Sequence, residues 1–192
     1  MERQGNVIIP SFAIERTQEI LVLLKQLHYA GKLPECQVFV DSPMAIKATK
    51  IYDRYHRNLN QVAQDLYHQN ESVFDFPPLT YSQTGEDSMQ INSVENRCII
   101  IAGSDMCNGG RILHHFKHRL WNERNSVVFV GFQAEGTLGR LMLDGAETIR
   151  IYGETIKVNA HIHSINGFSA HADQDDTVSY THLRAHETSV NR

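Results

Sequence analysis

Two unbroken apolar runs constrain the fold more than any other feature: Cys98-Ile99-Ile100-Ile101-Ala102 and Ser126-Val127-Val128-Phe129-Val130-Gly131-Phe132. A strand with one wet face alternates apolar and polar residues, whereas a strand covered on both faces reads as a continuous apolar run. Between the two runs lies a helical stretch from about Gly110 to Trp121. Buried strand, helix, buried strand is the pattern of a parallel sheet with helices on its faces.

The same alternation continues on both sides. Asn6-Val7-Ile8-Ile9-Pro10 reads as a strand. A helix follows from Ala13 to about Ala30, with Ile20, Leu21, Leu23, Leu24 and Leu27 as its apolar stripe and Gly31 closing it. Gln37-Val38-Phe39-Val40 is a strand, and Pro43 suits the first turn of a helix from about Met44 to Tyr55. The stretch from Arg57 to Arg97 is polar and less regular. A short helix is expected near Val62 to His68, a loop around Phe76-Pro77-Pro78, and a weak helix near Glu86 to Val94. Thr137 to Leu143 reads as a short helix, and Thr148 to Val158 as a strand or a hairpin broken at Gly153-Glu154. The fold class is α/β, a mainly parallel sheet flanked by helices. Ligands of such sheets bind beyond the carboxyl ends of the strands, where the connecting loops gather.

Composition narrows the function. The apolar fraction of 41% and charged fraction of 21% suit an ordinary globular domain, and no window approaches a membrane span. The net charge of −4 argues against a broadly basic nucleic-acid binder, so any RNA must meet a local cluster of donors. Cys36, Cys98 and Cys107 are odd in number and far apart, which suggests neither a disulfide framework nor a zinc knuckle. Met1 to Gly5 lack the apolar core of a secretory signal, and a cytoplasmic location is expected.

Two loops carry chemistry. Gly103-Ser104-Asp105-Met106-Cys107-Asn108-Gly109-Gly110-Arg111 joins a buried strand to a helix. Glycines let backbone approach a ligand and a helix N-terminus offers unpaired N–H donors, so phosphate is the natural guest of Ser104, Gly109, Gly110 and Arg111. A tight strand-to-helix turn without a ligand is the alternative. In Gly167-Phe168-Ser169-Ala170-His171-Ala172-Asp173, His171 reads as a proton donor or phosphate ligand with Ser169 beside it, or else as a structural histidine. His114 and His118 have the i,i+4 spacing of a metal pair, but the glutamate of HExxH is absent. With His115 they are expected to be exposed or supporting. His161 and His163 would share one face of a strand, without a carboxylate nearby. Asp41-Ser42 either lines the cleft or simply caps the next helix.

In order along the chain, Ile9-Pro10-Ser11-Phe12-Ala13-Ile14-Glu15-Arg16, Asp41-Ser42-Pro43-Met44-Ala45, the Gly103 to Arg111 loop, Gly131-Phe132-Gln133-Ala134-Glu135-Gly136-Thr137 and Gly167 to Asp173 resemble the β-CASP family of metallo-β-lactamase-fold RNA-processing hydrolases. The resemblance implies a β-CASP domain over residues 1–147, and over 148–176 a segment returning towards a metallo-β-lactamase-like αββα domain. It implies RNA between the two domains, with phosphodiester hydrolysis by water activated at two zinc ions. His171 matches the family's proton-donating histidine, and Ser169 a position that contacts a backbone phosphate. The family's HxHxDH metal signature and its final HGE histidine do not occur, so the zinc ligands are expected outside this chain and the chain alone is expected to be inactive. Asp105 and Glu15 stand where the family often has glycine. Residues 177–192 resemble translated sequencing adapter and are expected to be non-native. A homodimer, a DNA substrate and a non-catalytic Rossmann-like nucleotide- or RNA-binding module remain open at this point.

Overall fold

The computed structural model describes residues 4–165. Its elements, in order, are β1 (Val7–Pro10), α1 (Arg16–Tyr29), β2 (Gln37–Val40), α2 (Pro43–Arg54), α3 (Gln61–Asn70), β3 (Leu79–Tyr81) and α4 (Gly85–Gln90). There follow β4 (Cys98–Ala102), α5 (Ile112–Arg119), β5 (Ser126–Phe129), α6 (Leu138–Leu143), β6 (Thr148–Ile151), β7 (Glu154–Lys157) and β8 (His161–Ser164). Six strands form one parallel sheet in the order β3-β2-β4-β1-β5-β8, and β6 with β7 makes a separate antiparallel hairpin.

The apolar runs occupy the sheet centre because both faces are covered there. All five residues of β4 are buried. Successive side chains of a strand point to opposite faces, and the core divides accordingly. Ile9, Val38, Val40, Ile99 and Ile101 pack with α1, α2 and α3. Ile8, Val127 and Phe129 pack with α5, α6 and the hairpin, while Ile100 meets Ile91 beyond α4. Each fully buried aliphatic side chain contributes about 1.5–3 kcal/mol. The hairpin supplies Ile149 and Ile151 to the second core, and β8 pairs with β5. Residues 148–165, expected to open a return segment, pack on the second core and pair with the edge of the same sheet.

Local signals set the helix starts. Ser42 caps α2 through Ala45 N–H, with Pro43 in the first turn. Thr84 and Asp87 form a reciprocal capping box on α4. α1 begins at Arg16 instead of Ala13 because Glu15 adopts φ 69 and ψ −63, and Arg16 N–H donates to the Ile14 carbonyl at 2.9 Å. That is a γ-turn of the rare, strained hand. Glycine, the residue often found there in the resembling family, would relax it.

Connections from β1 to β2 to β3 step one way across the sheet, and those from β3 to β4 to β5 to β8 step back. Right-handed crossovers place helices of opposite steps on opposite faces, as the two cores require. β4 is flanked by β2 and β1, whose helices leave towards the other face.

Candidate functional site

Neighbouring strands whose connections part to opposite faces leave a crevice at their carboxyl ends, the place where open α/β sheets bind ligands. The loop Gly103 to Arg111 rises from β4 into this switch point, between the segment after β1 and the segment after β2. Ser11 N–H donates to the Ala102 carbonyl at 3.0 Å, so the β1 side touches the loop's base. A Cβ placed on Gly103 would lie 3.9 Å from Ser42 Oγ, so the β2 side touches it too.

The loop is closed on itself. Ser104 N–H and Oγ both donate to the Gly109 carbonyl, at 3.1 and 3.3 Å, and Ile112 N–H donates to the Gly103 carbonyl at 3.0 Å. Gly110 has φ 79, and a Cβ there would stand 2.3 Å from the Gly103 carbonyl oxygen. No other residue fits. Gly109 is the reverse case, since a Cβ there meets nothing within 4 Å. Among the described residues the N–H groups of Asn108, Gly109, Gly110 and Arg111 donate to no acceptor. These orphan donors lead into α5, an arrangement able to take an anion. Asp105 is buried, with its carboxylate 4.0 Å from where a Cβ on Gly131 would stand. It therefore lies against the end of β5.

Arg111 sits at the loop's exit, but its guanidinium is engaged elsewhere. It donates to Asp41 Oδ1 at 2.7 Å and to the carbonyls of Ser82 and Gln83 at 3.0 and 3.2 Å. Asp41 is fully buried and also accepts from His115 Nε2 and Ser88 Oγ, each at 2.7 Å. Burial alone would raise the Asp41 pKa, but the hydrogen bonds from His115, Ser88 and Arg111 outweigh it and hold the carboxyl below its ordinary range. Burial lowers the His115 pKa against the pull of Asp41. His115 Nδ1 is buried without a partner, which suits a neutral ring whose Nε2–H donates to Asp41. The cluster staples α5 to β2 and to the segment before α4, across the β2–β4 crevice.

Of the residues singled out in the sequence, Ser104, Gly109 and Gly110 share the loop mouth, and Arg111 serves the staple beside it. Ser169 and His171 lie outside the described residues. His114 and His118 are exposed and His115 is buried. The Asp41–His115 pair escaped sequence reasoning, although Arg111 and His115 at i,i+4 on one helix face were its trace. His161 and His163 stack on the exposed edge strand, their ring centroids 6.4 Å apart. Among the described residues no three His, Cys, Asp or Glu side chains converge as metal ligands, so these residues do not fit a zinc site.

A fold and loop of this kind define a parallel α/β domain with a glycine-rich loop at its switch point. Residues 17–142 match the Beta-Casp domain, and residues 155–185 match the Zn-dependent metallo-hydrolase RNA specificity domain. The chain belongs to the Beta-Casp family. The second match reaches into the segment expected to be non-native. The chain is 37% identical over 180 residues to Ribonuclease TTHA0252 of Thermus thermophilus, covering 94% of this chain and 41% of that protein. It is 34% identical over 186 residues to transcription termination factor FttA of Thermococcus kodakarensis, covering 94% and 28%. It is 33% identical over 180 residues to an RNase J-like protein of Methanocaldococcus jannaschii, covering 94% and 40%. The chain thus spans well under half the length of these relatives.

Proposed function

We propose that this chain is the RNA-positioning part of a hydrolase that cleaves RNA phosphodiester bonds together with a metal-binding domain. The observation that carries the reading is the switch-point loop, whose N–H groups from Asn108 to Arg111 are unpaired among the described residues and surround an open Gly109. A ribonuclease and a family described by RNA specificity are among its relatives. In this reading the loop N–H groups hold a backbone phosphate, and the Ser104 hydroxyl leaves the Gly109 carbonyl to join them. Donors fixed in place before the substrate arrives need no reorganisation when charge develops on it. The Asp41–Arg111–His115 staple fixes the loop, and Arg111 adds a backbone N–H and nearby positive charge. His171 donates a proton to the leaving oxygen, with Ser169 on a neighbouring phosphate. The zinc named for the family finds no ligand set among the described residues, and the steps assigned above belong to protein donors alone.

The test is metal-dependent RNA cleavage by a chimera that joins this chain to a metal-binding domain and a terminal segment from a family member. Cleavage that falls about 10²- to 10⁴-fold in His171→Ala, with RNA affinity little changed, supports the assignment. A folded, zinc-loaded but inert chimera would instead make the chain a non-catalytic binding module.

A further inference from the structure

The exposed face of α2 carries two parallel rows of unlike chemistry. At 100° per residue, Lys47, Lys50 and Arg54 fall within an arc of about 60°. Met44, Ile51 and Tyr55 fall beside them, at 64%, 57% and 58% exposure. Among the described residues none of the three cations is in an ion pair. The one acidic residue of the helix, Asp53, is turned the other way, accepting from Val73 N–H at 2.7 Å and Ser72 Oγ at 3.2 Å. A solvated helix face commonly intersperses both signs. This one gathers positive charge next to apolar surface, in a protein of net charge −4.

The face also begins at the candidate site. Ser42, the α2 cap, lies beside Gly103, and the twelve residues of α2 then run about 18 Å away from the sheet's carboxyl edge. Cations spaced three to four residues apart recur every 4.5–6 Å or so along the axis, a step that successive phosphates of an extended strand can follow. Tyr55 offers a ring for a base to stack on, and Met44 and Ile51 an apolar surface beside it.

We infer that this face is a second, non-catalytic RNA track, taking the single strand that flanks the phosphate held at the Gly103–Arg111 loop. The inference rests on the RNA reading above and adds the path of the strand. Phosphates lie against Lys47, Lys50 and Arg54, and bases against Met44, Ile51 and Tyr55.

The experiment uses the 192-residue chain, a fluorescent oligouridylate of about fifteen nucleotides and fluorescence anisotropy across a salt series. The triple variant Lys47→Gln/Lys50→Gln/Arg54→Gln removes three phosphate contacts. The slope of log affinity against log salt should become shallower by about 2, with roughly 100-fold weaker binding at about 0.1 M salt. Tyr55→Ala should weaken binding without changing the slope. An unchanged slope in the triple variant, with an unchanged circular dichroism spectrum, overturns the track. So does failure of the parent chain to bind the oligonucleotide, and so does competition by polyglutamate as strong as by RNA, which would make the face a protein contact. The two readings fail separately. A cleaving chimera with an unaltered salt slope loses only the track, and an inert chimera with a slope that depends on α2 loses only the hydrolase.

Discussion

Replacing Asp41 tests whether the loop is held by the buried cluster. Its carboxylate is fully buried and accepts three hydrogen bonds of 2.7 Å, from Arg111, His115 and Ser88. Removing one partner of a buried ion pair costs about 3–5 kcal/mol, because the other charge is stranded. Two features place Asp41→Ala towards the lower end of that range. The Arg111 side chain keeps 24% of its surface in water and two carbonyl acceptors, and His115 is neutral, so it leaves an unpaired N–H and no stranded charge. Asp41→Asn keeps the shape and one acceptor oxygen, forfeits the charge, and should cost about 1.5–3 kcal/mol. Urea denaturation of the 192-residue chain reads both as shifts in midpoint at constant slope. For a chain of this size 3 kcal/mol corresponds to about 6–12 °C in Tm. A double-mutant cycle of Asp41→Ala with Arg111→Met should return a coupling above about 0.5 kcal/mol. A loss under about 1 kcal/mol for Asp41→Ala, or a coupling near zero, would refute the staple.

The same cluster sets an acid-side limit on stability. Because burial depresses the folded pKa of His115, the unfolded chain protonates first. Stability is full above the ordinary histidine range of about 6.5 and falls as pH drops below it. Asp41, held low by its hydrogen bonds despite burial, contributes stability present above about pH 4 and lost as pH falls further. Denaturation between pH 7 and 5 should show the first loss, and His115→Gln should reduce it. His118, lowered by burial and by Arg119 and Lys117, shifts the same way, so His118→Gln should take away a further part of the loss without touching the Asp41 cluster. The two loop glycines should behave oppositely. Gly109→Ala changes stability by less than about 0.5 kcal/mol yet weakens RNA binding, whereas Gly110→Ala, with φ 79 and a 2.3 Å contact, destabilises by more than about 1 kcal/mol. Equal effects of the two on the urea midpoint would contradict the loop geometry. Glu15→Gly should raise stability by roughly 1 kcal/mol by releasing the γ-turn, and a lower midpoint would mean that Glu15 is not strained.

The central strands were legible because double-sided burial leaves no polar residue in β4, and alternation then divides each strand between two cores. The ends were less legible. The β5 run continues to Phe132 in sequence, but the strand stops at Phe129, and Phe132 is 70% exposed beyond the sheet edge. β3 was hidden inside the polar, less regular stretch, just after the loop expected at Phe76-Pro77-Pro78. An edge strand of three residues, Leu79-Thr80-Tyr81, has one neighbour and needs no apolar run. The first strong signal after it is a capping box, Thr84 with Asp87, where a weak helix was expected only from Glu86.

The loop at the switch point could be read from glycine spacing, since a strand followed by Gly-rich sequence and a helix is a local pattern. The staple could not, because Asp41 and His115 are 74 residues apart and meet only once the sheet brings β2 beside β4. Arg111 shows what that costs a sequence-based assignment. A guanidinium next to a glycine loop looks like a phosphate ligand, yet here it is held by a buried carboxylate just beyond β2 and by two backbone carbonyls. Net charge is a coarse guide in a similar way. The value of −4 argues against a broadly basic surface, but it sums over acids that cap helices, such as Asp87, or lie buried in a network, such as Asp41. What a polyanion meets at the surface is the sign of each exposed face. On α2 that sign is positive because its single carboxylate is spent indoors, holding the Ser72–Val73 segment.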